Sequence, residues 1–113
     1  MEQILRKKDI VLVPFPFSDQ SGMKKRPALI VSDDKFNQAS SDIIICAITS
    51  NIDNDFHTVL IKPDDWKDGL YYESCVKVAN ILTVEKRIVL KRIGRLGAER
   101  FNAVIGKIHD IIK

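Results

Sequence analysis

The 113-residue sequence predicts a mainly β protein with one C-terminal α-helix, built as a small antiparallel barrel or strongly bent sheet. Three observations lead there. Short runs rich in Val, Ile, Phe and Thr recur between clusters of Gly, Pro, Asn, Asp and Ser, as strands between turns do. Near residue 98 the apolar period changes from that of strands to that of one amphipathic helix. The chain does not alternate strand and helix, and it carries neither a GxGxxG nor a P-loop, which disfavours a dinucleotide-binding fold.

The elements follow in order. Asp9 to Phe15 is apolar at nearly every position, the pattern of a strand covered on both faces. Pro14 and Pro16 cannot donate ladder hydrogen bonds, so that end lies at an edge or rim. Ser18 to Lys25 holds Asp19, Ser21 and Gly22 and predicts a hairpin-like loop, with a second strand from Pro27 to Ser32. Asp33 to Ala39 suits a short helical turn. Ile43 to Thr49 is a β-branched third strand and Phe56 to Ile61 a fourth, with turn chemistry at Asn51 to Asp55. Pro63 to Gly69 is expected to be a loop or single turn, with Trp66 folded back as an apolar plug. Ser74 to Ala79 is a fifth strand in which Val76 and Val78 share one face and Lys77 takes the other. Ile81 to Val89 and Leu90 to Leu96 add one or two more, for about six or seven in all. Phe101, Val104, Ile105, Ile108, Ile111 and Ile112 then mark a helix from about Ala98 to Ile112, with Gly97 as N-cap and Glu99 in its first turn.

Length and composition bound the function. A chain of this size forms one domain, residues 1–113, around one modest core. Apolar content of 45% and charged content of 29% are those of an ordinary globular protein. No apolar run is long enough to span a membrane, and the cationic N-terminus is not followed by a signal-peptide core, so the cytoplasm is the expected compartment. The net charge of +3 permits an anionic partner without demanding one. Its distribution says more: cations cluster at Arg6 to Lys8, Lys24 to Arg26 and Lys86 to Arg95, while acids gather at Asp53 to Asp68. Cys46 and Cys75 sit in apolar strands, form no CxxC, and lack the spacing to join His57 and His109 in a metal set. They read as small core residues, and neither a metal nor another cofactor is expected.

The segment Asp9 to Ser32 carries the strongest functional signal. Pro27 fixes its own φ and biases Arg26 toward extended backbone, placing a guanidinium at a strand entrance with Lys24 and Lys25 beside it. Four pieces in order, DIVLVPFPF at 9–17, KRPALIVS at 25–32, AITS at 47–50 and KRIGRL at 91–96, make the chain resemble the PemK/MazF family. Those proteins are toxins of type II toxin–antitoxin systems, often called messenger-RNA interferases. The resemblance implies an SH3-like barrel, usually a homodimer, that cleaves single-stranded RNA without metal. It also implies an antitoxin partner whose acidic C-terminal segment lies along the same cationic groove. The family's catalytic arginine falls on Arg26 and its catalytic threonine on Thr49. One departure is Lys8, where a glycine commonly precedes the strand's aspartate.

The residue chemistry agrees with that assignment. RNA supplies its own nucleophile in the ribose 2′-hydroxyl, so the enzyme need only align it, move a proton at each end and stabilise charge on the phosphorane. A guanidinium fork binds two phosphate oxygens together. Guanidinium groups release a proton only above about pH 12, so phosphate stabilisation suits Arg26 better than general-base work. Thr49 is placed to bond a phosphate oxygen or orient the 2′-hydroxyl, with a 2′,3′-cyclic phosphate and a 5′-hydroxyl as products. Ser50 and Asn51 are adjacent donors for RNA. Lys24 and Lys25 attract its backbone or are simply solvated. Phe17 either stacks a base or joins Phe15 in the core. His57 begins a strand without a partner at catalytic spacing. The competing reading is a non-catalytic module on the same barrel, either a CcdB-like gyrase poison or a regulatory relative without activity; neither would need the Arg26 and Thr49 pair.

Overall fold

The computed structural model describes residues 4–15, 24–52, 57–62, 66–67 and 73–112, without the side chains of Phe15, Lys24, Trp66 and Lys67. Within them, strands β1 (Asp9–Phe15), β2 (Lys24–Ile30), β3 (Asp42–Thr49), β4 (Thr58–Ile61), β5 (Trp66–Lys67), β6 (Ser74–Glu85) and β7 (Lys91–Leu96) form one antiparallel sheet. The spatial order is β4-β6-β3-β2-β1-β7-β5. Helix α1 (Asp34–Ala39) links β2 to β3, and α2 (Ala98–Ile111) follows β7. The mainly β architecture with a packed C-terminal helix is therefore as the sequence predicts.

Several boundaries differ, for local reasons. β2 begins at Lys24 rather than Pro27, because Lys24, Lys25 and Arg26 pair with Phe15, Pro14 and Val13 of β1. The expected strands at 74–79 and 81–89 are one strand, β6, which ends in a 3-10 turn at Lys86–Ile88. That strand carries a large bulge. Cys46 of β3 faces Ile81 while the next residue, Ala47, faces Lys77, so residues 78–80 fall outside the ladder. A bulge of this kind bends the strand and curls the sheet. Trp66 lies in β5, paired with Leu96, where the sequence suggested a loop.

Strand alternation sends side chains into two apolar clusters. Ile10, Leu29, Cys46, Ile48, Val59, Ile61, Val76 and Val78 form the first, and α2 covers it with Phe101, Val104, Ile105, Ile108 and Ile111. Val11, Val13, Ala28, Ile30, Ile43, Ile45 and Ala47 form the second, closed by Leu5 and Val89. Fully burying a Leu, Ile, Val or Phe side chain contributes about 1.5–3 kcal/mol each, so these two clusters dominate stability. Cys46 lies in the first cluster and Cys75 is also buried, as expected of small core residues. Burial without a charged partner pushes the Cys46 thiol up to about 12.

A polar clamp closes the start of β1. Asp9 is buried, and its Oδ1 accepts bonds from Arg92 Nε and Arg95 Nη1, each at 3.0 Å. Its Oδ2 accepts the Arg6 N–H at 2.9 Å. This accounts physically for the KRIGR run of β7: two of its cations neutralise the one carboxylate the strand buries. Immediately before Asp9, Lys8 has φ 80°, in the left-handed region that favours glycine. Its N–H bonds Ile30 O at 3.0 Å and its carbonyl accepts Leu96 N–H at 2.9 Å, so the neighbouring strands hold it there.

Candidate active site at the ends of β2 and β3

Arg26 and Thr49 stand on adjacent strands, and the ladder explains how. β2 and β3 pair as Ile30↔Ile45, Leu29↔Cys46 and Ala28↔Ala47. Val31 N–H bonds Ile44 O at 2.9 Å, so alternate residues 31, 29 and 27 turn their backbone polar groups toward β3. Pro27 has no N–H to give, and the β2–β3 pairing stops at Ala28. Toward β1 the same residue costs nothing, because its vacant side faces away, and the β1–β2 ladder continues unbroken to Lys24. Continued by two residues, the β2–β3 register sets Arg26 across from Thr49.

Alternation also fixes the face. Ala28 and Ala47 belong to the second cluster, and Arg26 and Thr49 lie two residues beyond them on that same face, away from α2. Both are half-buried. Among the described residues, the Nε of Arg26 is buried with no hydrogen-bond partner. The Oγ1 of Thr49 accepts the Asn51 N–H at 3.1 Å, which leaves its own O–H free to donate. Cys75, directly opposite Thr49, sets its sulfur 4.0 Å from Asn51 O and braces the same turn.

The other expected site residues divide. Ser50 and Asn51 are exposed beside Thr49. Lys25 is exposed, but alternation turns it to the opposite face from Arg26. Lys24 pairs with Phe15 at the start of β2. Phe17 lies outside the described residues. His57 precedes β4, and its carbonyl accepts Val78 N–H at 3.0 Å, on the register of the α2-covered face.

Lys77 is a further site residue, one that the sequence pattern marks only as polar between two valines. It is exposed and faces both Ala47 of β3 and Thr58 of β4, so it shares the Arg26–Thr49 face one pleat from Thr49. It pairs with no carboxylate among the described residues. The sequence signal was its polar position between Val76 and Val78; only the bulged register shows which strand end it meets. No cluster of three or more His, Cys, Asp or Glu among the described residues is arranged to hold a metal ion. What the site offers is a guanidinium, a hydroxyl donor and an ammonium on one half-exposed face, a set suited to a phosphodiester.

A site of this make-up on this sheet defines a class, and comparison with known proteins specifies it. The chain belongs to the family of PemK-like, MazF-like toxins of type II toxin–antitoxin systems, whose pattern it matches over residues 6–112. A probable endoribonuclease MazF of Mycolicibacterium smegmatis is 32% identical over 73 residues, covering 65% of this chain and 66% of that protein, just under two thirds. Among solved structures, a MazE–MazF complex from Deinococcus radiodurans superposes with a TM-score of 0.80 at 19% identity, covering 97% of each chain. An endoribonuclease bound to its cognate antitoxin from a mycobacterial species gives 0.77 at 18% identity over 94% of this chain and 92% of that one. Mycobacterium tuberculosis MazF-mt6 gives 0.70 at 20% identity over 88% and 93%. At such identities the superpositions establish the shared fold.

Proposed function

We propose that this chain, as a single domain, is the RNA-cleaving toxin of a toxin–antitoxin pair. It cuts single-stranded RNA by attack of the ribose 2′-hydroxyl on the adjacent phosphate. The 2′-oxygen bonds to phosphorus, the bond to the leaving 5′-oxygen breaks, and the products are a 2′,3′-cyclic phosphate and a 5′-hydroxyl. The 2′-hydroxyl proton passes to solvent and the 5′-oxygen takes one up. No metal enters this scheme. The observation that carries it is the β2–β3 register, which ends at Ala28↔Ala47 with Arg26 and Thr49 each two residues beyond on the same face.

In this reading Arg26 binds two non-bridging oxygens, and its charge counts most as the phosphorane forms. Donors of that kind typically contribute about 3 kcal/mol, or 10² to 10³ in rate. Thr49, with its oxygen already accepting from Asn51, donates its hydroxyl to a phosphate oxygen rather than acting as a base. Lys77 adds charge beside them, Ser50, Asn51, Lys24 and Phe17 serve the flanking nucleotides, and Lys25, on the opposite face, only adds to the long-range attraction of RNA. In the same reading it acts as a homodimer in the cytoplasm, held inactive by an antitoxin whose acidic segment occupies the same groove; the family relation and the antitoxin-bound relatives support the antitoxin partner. Among the described residues no helix is long and apolar enough to cross a membrane.

The test is to incubate the purified protein in EDTA with a long single-stranded RNA and with the same RNA carrying 2′-O-methyl groups throughout. Cleavage of the first to cyclic-phosphate ends, with the second intact, is expected. An intact first RNA, or cleavage of both, overturns the proposal.

A further inference from the structure

The two cationic runs far apart in sequence meet in the fold. Arg6, Lys7 and Lys8 cross the end of the sheet where Asp9 receives Arg92 and Arg95, and Leu96 N–H bonds the Lys8 carbonyl. Lys91 precedes Arg92 in β7 but pairs with Leu12, which turns it to the opposite face, with Lys25. Five cations, Arg6, Lys7, Lys8, Arg92 and Arg95, thus lie at this end of the sheet, where the Lys7 N–H also bonds the Asp34 carboxylate at 2.8 Å. Asp9 shows 2% of its side chain to solvent, whereas Arg92 shows 44% and Arg95 40%. The negative charge is enclosed and the positive charge faces outward.

The register relates this collar to the candidate site. Arg95 pairs with Asp9 and Arg92 with Val11, and both β1 residues lie on the same face as Val13, the partner of Arg26. The three arginines therefore project from one face, around the rim of the buried Val11, Val13 and Ala28. From Asp9 to Val13 the strand rises about 13 Å, a span that a few nucleotides cover. Asp9 holds both guanidinium groups in place, and each bonds it through a single nitrogen, leaving its remaining N–H groups available. Donors fixed in advance lose less side-chain freedom on binding.

We propose that the collar of Arg6, Lys7, Lys8, Arg92 and Arg95 binds the phosphate backbone of the RNA a few nucleotides away from the bond being cut. The proposal rests on the RNA-cleaving reading of Arg26 and Thr49. RNA is the occupant the arrangement favours, because a polynucleotide presents a phosphate at every residue and so meets cations stepped along the face from Arg26. The collar contributes affinity without sequence choice, so long RNA is held more tightly than short RNA.

The test uses Arg6→Gln combined with Lys7→Gln, neither of whose side chains bonds Asp9. Binding of 2′-O-methyl RNA of four and of sixteen nucleotides is measured across a salt series, alongside cleavage of unmodified RNA. The wild type is expected to show the steeper salt dependence on the sixteen-mer. The double variant should lower that slope by about 1.4, at about 0.7 per lost single-strand phosphate contact, and leave the four-mer slope unchanged. Equal slopes for variant and wild type on the sixteen-mer overturn the collar, while continued cleavage leaves the active-site reading standing. Unchanged RNA binding with weakened binding of a poly-glutamate peptide also overturns it, by assigning the collar to an acidic protein segment. A wild type that neither binds nor cuts RNA overturns both readings.

Discussion

Lys8→Gly should stabilise this protein, which is unusual for a glycine substitution. Lys8 sits at φ 80°, held by bonds to Ile30 O and from Leu96 N–H. An L-residue in the left-handed region costs roughly 1–2 kcal/mol, because Cβ crowds the following carbonyl oxygen. Glycine removes that crowding but makes the unfolded chain freer, at a cost of roughly 0.5–1 kcal/mol. The difference is a net gain of about 0.5–1 kcal/mol. For a chain of this size that raises Tm by roughly 2–4 °C. Lys8→Ala is the control, since it removes the same charge and keeps the Cβ. Both variants should be unfolded by urea and by heat at high salt, where the loss of a surface cation is screened. The reasoning fails if Lys8→Gly lowers the urea midpoint, or if Lys8→Ala raises it as much.

Asp9→Asn should destabilise by about 2–3 kcal/mol in urea unfolding. It weakens charge-assisted bonds worth roughly 1.5–3 kcal/mol, although the half-exposed arginines recover part of this from water. Leu29→Ala, fully buried in the cluster beneath α2, should cost about 2–5 kcal/mol by the same assay. Cys46 should resist a thiol reagent at pH 8 until the protein is unfolded. Because its folded pKa lies above the ordinary thiol value of 9.0, its contribution to stability is complete below pH 9 and is lost as pH rises toward 12, so urea midpoints should fall across that window. Thr49→Ser should retain most RNA cleavage and Thr49→Val lose most of it, since only the former keeps a hydroxyl donor.

Much of this fold was legible in the residues. The Ala98 helix, the apolar β1 strand and the β-branched β3 declare themselves by period and composition, and all three form close to where the pattern set them. β6 was harder. Its bulge opposite Cys46 and Ala47 is a property of pairing between two strands, and no local sequence period records it. The three-residue shift in register is also what sets Lys77 opposite Ala47, one pleat from Thr49, so the strand end that this cation meets could not be assigned from its neighbours alone. β5, two residues long, is similarly defined by its partner Leu96 and not by its own pattern. Arg26 could be singled out because Pro27 marks it. The structural reason is more specific than the sequence suggested: the missing Pro27 N–H ends the β2–β3 ladder just where the arginine needs an open edge. The Lys24 to Arg26 run looked like one basic loop, yet pairing with β1 makes it strand, and alternation separates Lys25 from Arg26. In the sequence, family likeness alone marks the KRIGR run. Its partner Asp9 lies more than eighty residues earlier, and a pairing at that distance appears only once β1 and β7 are adjacent.

In the proposed mechanism a guanidinium at position 26 stabilises the transition state of RNA cleavage. Its most direct measurement is the single-turnover rate of Arg26→Ala on a long single-stranded RNA in EDTA, with the variant's urea unfolding recorded beside it. We predict a loss of about 10² to 10³ in rate with an unchanged unfolding midpoint. A folded Arg26→Ala variant that cleaves as fast as the wild type would contradict the account.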